Sequence, residues 1–359
     1  MPVPLFDTAT PLAPLQAELR SAVERVLDSG RYILGPEVSA FEAEFAEYVG
    51  AAHAIGVANG TDALTIALQA MGVGRGDEVV VPSFSFYASA EAIVPTGASA
   101  VFCDIDPETF CVTAETVRAV LTPRTKAVIA VHLFGNVAPV AEIEALGVPV
   151  LEDAAQAAGS RGPDGRPGAL GTAATFSFYP SKNLGAFGDA GAITTSDASL
   201  AERVRELRFH GSTDKQTFER LGYNSRLDEL QAAILRVQLP HLERWADGRR
   251  TAAHSYEASA LAELCSLPRA TDGSDPAWHL YVIRSERADE LETALRADGI
   301  EVRAYYRLPT HRQPAMLVDV ALPGTDEAAR TNLALPISPV LSEAQAGEVV
   351  AAISAVLGA

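Results

Sequence analysis

The feature that most constrains this chain is a regular alternation of two hydrophobic patterns between about residues 50 and 195. Short β-branched and apolar runs, typical of buried strands, are separated by segments with apolar residues at helical spacing. Repeated strand–helix–strand units build a mostly parallel sheet with helices on its faces, which is an α/β fold. The predicted strands are residues 53–57, 78–81, 100–105, 127–131, 149–151 and 174–178, and the predicted helices are 61–71, 86–94, 114–121 and 137–146.

The second part of the chain is organised differently. Two more helical stretches, 200–209 and 227–245, precede a segment that is richer in Arg, Asp and Glu. That segment contains strand candidates at 279–283 and 300–304 and a closing helix at 343–357. We therefore predict a large domain over residues 1–245, with one N-terminal helix packed on it, and a small α+β domain over residues 246–359.

Charge and cysteine content exclude several classes of function. A net charge of −18 argues against binding to nucleic acid or to an anionic membrane surface, since both need clustered positive charge. Cys103, Cys111 and Cys265 have no metal-ligand spacing, so we expect no metal site and a reducing compartment. No apolar run reaches the roughly 18 residues of a membrane span, and the N-terminus lacks signal-peptide features, so we expect a cytoplasmic protein.

Familiar nucleotide and hydrolase motifs do not occur. The glycines at 72, 74 and 76 follow a predicted helix and precede a strand, which is the reverse of the order in a dinucleotide fingerprint. The chain contains neither a P-loop sequence nor a G-x-S-x-G nucleophile elbow. An anionic ligand must therefore be held by local groups, such as helix N-termini and a few placed arginines.

In an open parallel sheet, ligands bind beyond the C-terminal ends of the strands. Lys182 follows one such strand and precedes three glycines. A desolvated lysine there could form a Schiff base with an aldehyde cofactor, although an isolated lysine is more often a solvated loop residue. Asp153 ends another strand, where it could either cap a helix or keep the pyridine nitrogen of pyridoxal phosphate (PLP) protonated. Gln156 could reach the edge of the same ring.

Two further segments could serve a phosphorylated, flat cofactor. Gly60 and Thr61 open a helix, so their backbone N–H groups and the Thr61 hydroxyl could bind a phosphate, although ordinary helix capping is an equally good interpretation. Phe86 could stack on a cofactor ring, although a core position is the commoner role for such a residue. The histidines are dispersed and are not spaced to bind a metal together.

Taken in order along nearly the whole chain, these segments resemble the DegT/DnrJ/EryC1/StrS family of sugar aminotransferases, within the fold-type I PLP enzymes. Each matching segment is modest by itself, and the ordered set is specific. The segments are GRYILGPE at 30–37, NGTDAL at 59–64, PSFSF at 82–86, VHLFG at 131–135, EDAAQ at 152–156, FSFYPSKNLG at 176–185, GDAG at 188–191, GYNSR at 222–226 and LPISP at 335–339.

The resemblance implies a role for each matching residue. Lys182 would hold PLP as a Schiff base and move the proton in both half-reactions, Asp153 would face the pyridine nitrogen, and Gln156 would lie near the ring oxygen. The remaining cofactor contacts implied are Phe86 on the ring, Gly60, Thr61 and Ser177 on the phosphate, and Asn224 reaching the phosphate from the second subunit of a homodimer with shared sites.

The implied reaction transfers an amino group from L-glutamate to a keto sugar carried on a nucleotide. A few similar enzymes have histidine in place of the lysine and remove a hydroxyl instead, so Lys182 favours transamination over dehydration. Tyr179 is typical of members acting on 3-keto sugars, whereas many 4-keto enzymes have histidine there. A non-catalytic PLP-binding regulator is a further alternative, and it has little support because no basic patch is present.

The segment at 305–314, YYRLPTHRQP, resembles the substrate loop of the family. Tyr306 and His311 match its pattern and are candidate substrate residues, whereas Tyr305 and Arg307 depart from it. Arg307 and Arg312 could offer charge to a diphosphate, or they could be ordinary surface arginines.

Overall fold

The structure is a computed structural model that describes residues 3–358. Its large sheet has seven strands, which are β1 (His53–Val57), β2 (Glu78–Pro82), β3 (Ser99–Cys103), β4 (Thr125–Val131), β5 (Val150–Asp153), β6 (Ala173–Ser177) and β7 (Gly191–Thr195). They are ordered β1-β7-β6-β5-β4-β2-β3. The five strands from β3 to β6 pair in parallel, while β7 is antiparallel to both β1 and β6. The predicted α/β fold with a mostly parallel sheet is confirmed.

Helices cover both faces of this sheet. Those of the first 257 residues are α1 (Gln16–Ser29), α2 (Pro36–Val49), α3 (Gly60–Ala70), α4 (Ala88–Glu91), α5 (Ala114–Arg118), α6 (Val140–Glu144), α7 (Ala198–Leu207), α8 (Glu229–Gln238) and α9 (Leu242–Glu257). One buried apolar cluster packs α3 and α7 against the sheet, and a second packs α2 and α8. Because both faces are covered, the central strands β2 and β4 are mostly apolar and buried.

The C-terminal part forms a small α+β unit. Strands β8 (Tyr281–Arg284) and β9 (Asn332–Leu335) pair antiparallel. The helices of this part are α10 (Leu261–Leu264), α11 (Ala288–Ala297), α12 (Pro323–Thr331) and α13 (Glu343–Leu357). The predicted strand at 300–304 is absent: Ile300 and Arg303 each make a single bridge, to Val3 and Ala334 respectively. The closing helix has the predicted bounds.

The expected domain boundary near residue 245 lies inside α9. Trp245, in the first turn, packs with α1 and α8, whereas Ala252, Ala253 and Tyr256 join the apolar core of the C-terminal unit. One continuous helix therefore contributes to the packing of both parts. Within residues 3–358, no helix is long and apolar enough to cross a membrane.

Candidate active site

A cavity of about 1010 Å³ opens beyond the C-terminal ends of strands β2, β4, β5 and β6. Its opposite wall is formed by residues of the 303–313 segment in the C-terminal unit. The cavity brings together seven of the eight predicted cofactor residues, namely Gly60, Thr61, Phe86, Asp153, Gln156, Ser177 and Lys182. Tyr306, a predicted substrate residue, lines it as well. Residues up to 122 positions apart, Gly60 and Lys182, thus meet because strand ends converge at one sheet edge, and the 303–313 segment brings Tyr306 to them from the other side.

The N-terminus of α3 forms one end of the cavity. Asn59 caps this helix by accepting a hydrogen bond from the backbone N–H of Asp62 at 2.8 Å. This leaves the N–H groups of Gly60 and Thr61 directed out of the helix start, where an anion is stabilised by the helix dipole. A Cβ on Gly60 would lie 2.8 Å from the Cβ of Ser177, so only glycine permits this close packing of α3 on β6.

Asp153 is a buried carboxylate that is already oriented. Its Oδ2 accepts a hydrogen bond from the Ser89 hydroxyl at 2.7 Å, and its Oδ1 accepts one from the backbone N–H of Ala155 at 3.2 Å. Ser89 in turn contacts the Ser85 hydroxyl at 2.9 Å. Since both oxygens keep free lone pairs, the carboxylate can still accept a hydrogen bond from a cationic group in the cavity.

Lys182 lies in a tight turn after β6, where its backbone N–H donates to the carbonyl of Tyr179 at 2.8 Å. Burial lowers the pKa of its ammonium from 10.5 to about 8, and the nearby negative charge of Asp153 partly opposes this shift. The amine is therefore far easier to deprotonate than that of an exposed lysine, which is what a nucleophile at neutral pH requires.

Flat side chains line the space between these polar groups. The Phe86 ring is 58% exposed, which is unusual for a phenylalanine of a folded chain, and it faces the cavity. Gln156 accepts a hydrogen bond from the backbone N–H of Phe134 at 2.6 Å and donates to the Tyr306 hydroxyl at 3.4 Å. The amide of Gln156 thus connects the large sheet to the opposite wall.

Two predicted site residues lie elsewhere in this chain. Asn224 is exposed and does not line the cavity. His311 is buried behind the wall, where its backbone N–H donates to the Ser83 hydroxyl at 3.1 Å and its Nδ1 contacts the same hydroxyl. With Ser83 as its partner, His311 holds the 303–313 segment against the residue that directly follows β2.

The two arginines considered for a diphosphate already have partners. Arg307 pairs with Asp289 at 2.6 Å and donates to the carbonyl of Arg330 at 2.6 Å. Arg312 pairs with Asp326 at 2.8 Å.

Three residues that the sequence did not single out contribute to the site. Ser89 orients Asp153, and both Arg303 and His279 line the cavity. His279 is buried and stacks on Phe6, with the ring centroids 5.7 Å apart. Burial and the neighbouring Lys182 lower the pKa of His279 well below its ordinary value, which favours the neutral imidazole. The sequence carries no periodic or motif signal for any of the three.

Comparison with known proteins gives a consistent result. The model of the DegT/DnrJ/EryC1/StrS aminotransferase family matches residues 14–354. A "pleiotropic regulatory protein" of Geobacillus stearothermophilus is 46% identical over 96% of each chain. The dTDP-3-amino-3,4,6-trideoxy-alpha-D-glucose transaminase of Streptomyces venezuelae is 45% identical over 98% of this chain and 95% of its own. The crystal structure of S. venezuelae DesV in complex with a ketimine intermediate superposes with a TM-score of 0.94, at 45% identity, covering 98% of this chain and 97% of that one.

Proposed function

The chain belongs to the DegT/DnrJ/EryC1/StrS aminotransferase family, and we propose that it transfers an amino group from L-glutamate to C3 of a keto hexose carried on a nucleotide. The protein is a PLP-dependent aminotransferase. The observation that carries the proposal is the convergence of Lys182, Asp153 and the start of α3 on one cavity. These are the nucleophile, the carboxylate and the phosphate site that PLP chemistry needs.

The residues of the cavity fit PLP. The N–H groups of Gly60 and Thr61 at the start of α3 and the hydroxyls of Thr61 and Ser177 would hold the phosphate. Phe86 offers an exposed ring face for stacking, and Asp153 offers a fixed carboxylate to the pyridine nitrogen. When bound, PLP supplies an aldehyde that carries the amino group and a ring that accepts electrons from the reacting carbon.

The chain's own groups then have separate tasks. Ser89 and the backbone N–H of Ala155 keep Asp153 in place, so its negative charge faces the cavity without reorganisation. The Lys182 amine, with its pKa lowered to about 8, can both accept and return a proton near neutral pH. A lysine rather than a histidine at this position supports amino transfer over removal of a hydroxyl.

Both the sequence and the relatives support amination at C3 and a nucleotide-linked sugar as the acceptor. The segment YPSKNLG at 179–185 resembles that of enzymes acting on 3-keto sugars. The S. venezuelae relative is named as a dTDP-3-amino sugar transaminase. A 4-keto sugar is the alternative acceptor, and the position of nitrogen in the product separates the two.

We further propose a cytoplasmic homodimer in which Asn224 of one chain completes the phosphate site of the other. Asn224 is exposed and lies outside its own cavity, and apolar side chains near it in the sequence are also exposed, with Phe218 at 58% and Leu221 at 96%. Exposed apolar side chains that form a contiguous patch mark an interaction surface, and a partner chain that covers this segment would bury both. Sedimentation should give twice the chain mass, and Asn224→Ala should weaken PLP binding while leaving the dimer intact. A monomer that retains full PLP affinity would refute the dimer proposal.

A regulatory role is the second candidate, because the G. stearothermophilus relative is named as a regulatory protein. A regulator without turnover would bind PLP and leave it unchanged when an amino acid is added.

The direct test of the proposal supplies keto sugars to the enzyme in its amino-loaded form. Enzyme treated with ¹⁵N-glutamate, freed of excess donor, is mixed with dTDP- and UDP-linked 3-keto and 4-keto hexoses. We expect one equivalent of ¹⁵N on C3 of a 3-keto substrate, located by NMR of the product. Nitrogen at C4 would refute the C3 assignment, and no transfer to any member of the panel would refute the nucleotide-sugar assignment.

A further inference from the structure

We infer that Arg303 binds anionic oxygens of a substrate in the active-site cavity, either a carboxylate of the amino donor or the diphosphate of the acceptor. This inference rests on the proposed function and adds to it a recognition residue for the charged part of a substrate.

The backbone fixes Arg303 at the cavity wall. Its N–H donates to the carbonyl of Ala334 at 3.3 Å, and its own carbonyl accepts from the N–H of Ala334 at 2.8 Å. Ala334 belongs to β9, which is fully buried, so the position of Arg303 is set by the core of the C-terminal unit. The guanidinium then packs over the Tyr305 ring, 5.1 Å from its centroid. This contact and a hydrogen bond to the Tyr305 hydroxyl restrict the side chain, and the remaining N–H groups can still donate to a ligand.

The charge of Arg303 is not neutralised within the protein. Arg307, which lines the same wall, is occupied by Asp289 and by the carbonyl of Arg330. Arg312, further along the segment, is occupied by Asp326. In residues 3–358, no carboxylate lies within 4.0 Å of the Arg303 guanidinium, whereas the chain as a whole carries a charge of −18. Of the two arginines that line the cavity within residues 3–358, Arg303 is therefore the one without a carboxylate partner, and its exposed side chain can pair with a ligand.

The chemistry of the guanidinium identifies the ligand class. Its planar N–H groups match two oxygens of one carboxylate or phosphate. The overall negative charge repels anionic substrates, so a local cation is needed to hold them. Arg303 also borders an adjoining groove, whose lining includes Phe6, Arg296 and Glu301, so its side chain lies at the edge of the cavity. A dicarboxylate inside the cavity and a diphosphate passing its edge both satisfy this geometry.

The test compares Arg303→Gln and Arg303→Lys with Arg312→Gln, a control on the same segment whose side chain does not line the cavity. One assay measures the L-glutamate concentration that half-saturates the first half-reaction. The other measures the dissociation constants of dTDP and UDP on the PLP-loaded enzyme by calorimetry. Thermal melting and PLP content verify that each variant is folded.

We expect Arg303→Gln to weaken one of the two ligands about ten-fold or more, as is typical for loss of a charge-assisted hydrogen bond. Arg303→Lys should lie between wild type and Arg303→Gln, and Arg312→Gln should stay within about two-fold. Weaker glutamate alone identifies the carboxylate, and weaker nucleotide alone identifies the diphosphate. If Arg303→Gln changes neither ligand beyond two-fold, the inference is refuted. A wild type that does not react with glutamate refutes the proposed donor instead, and the nucleotide assay then decides on Arg303.

Discussion

The capture of PLP by the apoenzyme should titrate with the lowered pKa of Lys182. Only the neutral amine attacks an aldehyde, so the rate follows the deprotonated fraction. With a pKa of about 8, roughly a tenth of Lys182 is neutral at pH 7. A lysine at the ordinary value of 10.5 is neutral in only about one molecule in 3000. Burial thus raises the reactive fraction at pH 7 by about 300-fold.

The assay mixes apoenzyme with PLP in a stopped-flow spectrophotometer between pH 6 and 10. We expect the rate to rise about ten-fold per pH unit and to level off above pH 8, because Lys182 is then mostly neutral. Nα-acetyllysine, measured in the same buffers, corrects for titration of PLP itself and should show no levelling below its ordinary pKa.

Replacing Asp153 tests whether this carboxylate raises the pKa of Lys182, in opposition to burial. Its negative charge raises the pKa of Lys182, so Asp153→Asn should move the levelling point to lower pH. The reasoning would be refuted by a rate that keeps rising to about pH 10.5 in the wild type. A shift to higher pH in Asp153→Asn would also refute it.

Two further predictions concern the groups around Lys182. Gly60→Ala would force a Cβ to within 2.8 Å of the Ser177 Cβ, so we expect a loss of about 1–3 kcal/mol in the free energy of unfolding and a clear loss of PLP affinity. The matched control is Gly74→Ala, where a Cβ meets no atom within 4 Å, and equal effects of the two substitutions would contradict the packing argument. Ser89→Ala removes one hydrogen bond from Asp153 and should slow the glutamate half-reaction about ten-fold, whereas Ser89→Thr, which keeps the hydroxyl, should be closer to wild type. A rate in Ser89→Ala equal to that of wild type would show that Asp153 is held by other contacts.

The sequence predicted those helices and strands for which the local residue pattern and the tertiary packing favour the same secondary structure. Strand β1 and helix α13 have the predicted bounds, and the parallel strands were recognisable as short apolar runs because both of their faces are buried. Helix α4 is much shorter than predicted, since Pro95 and Gly97 follow it and the chain turns there instead.

Elements defined by distant partners were not predictable in the same way. Strand β7 contains glycine and threonine and becomes a strand because β1 and β6 pair with it on both sides. The segment at 300–304 has a strand-like composition but finds only single-residue partners, Val3 for Ile300 and Ala334 for Arg303. The segment therefore forms no continuous series of backbone hydrogen bonds with a neighbouring strand.

The same distinction applies to the site. Lys182, Asp153 and Gly60 could be proposed because each follows a strand or opens a helix at the edge where ligands bind. Ser89 was missed because a serine in a short helix has no pattern of its own, and its role depends on a contact with a residue 64 positions away. Arg303 was missed for a related reason. Whether an arginine forms an ion pair depends on which acidic side chains the fold brings close to it, and the sequence does not show this.

The measurement that tests the central claim most directly is the absorbance spectrum of the PLP-loaded protein before and after addition of L-glutamate, for wild type and for Lys182→Ala. We predict that glutamate removes the visible absorbance of lysine-bound PLP in the wild type and releases one equivalent of 2-oxoglutarate. Lys182→Ala should bind PLP, lack the lysine-bound spectrum and give no comparable conversion. A wild-type spectrum that glutamate leaves unchanged, or a Lys182→Ala variant that reacts as fast as wild type, would contradict the assignment of this protein as a glutamate-dependent aminotransferase that works through Lys182.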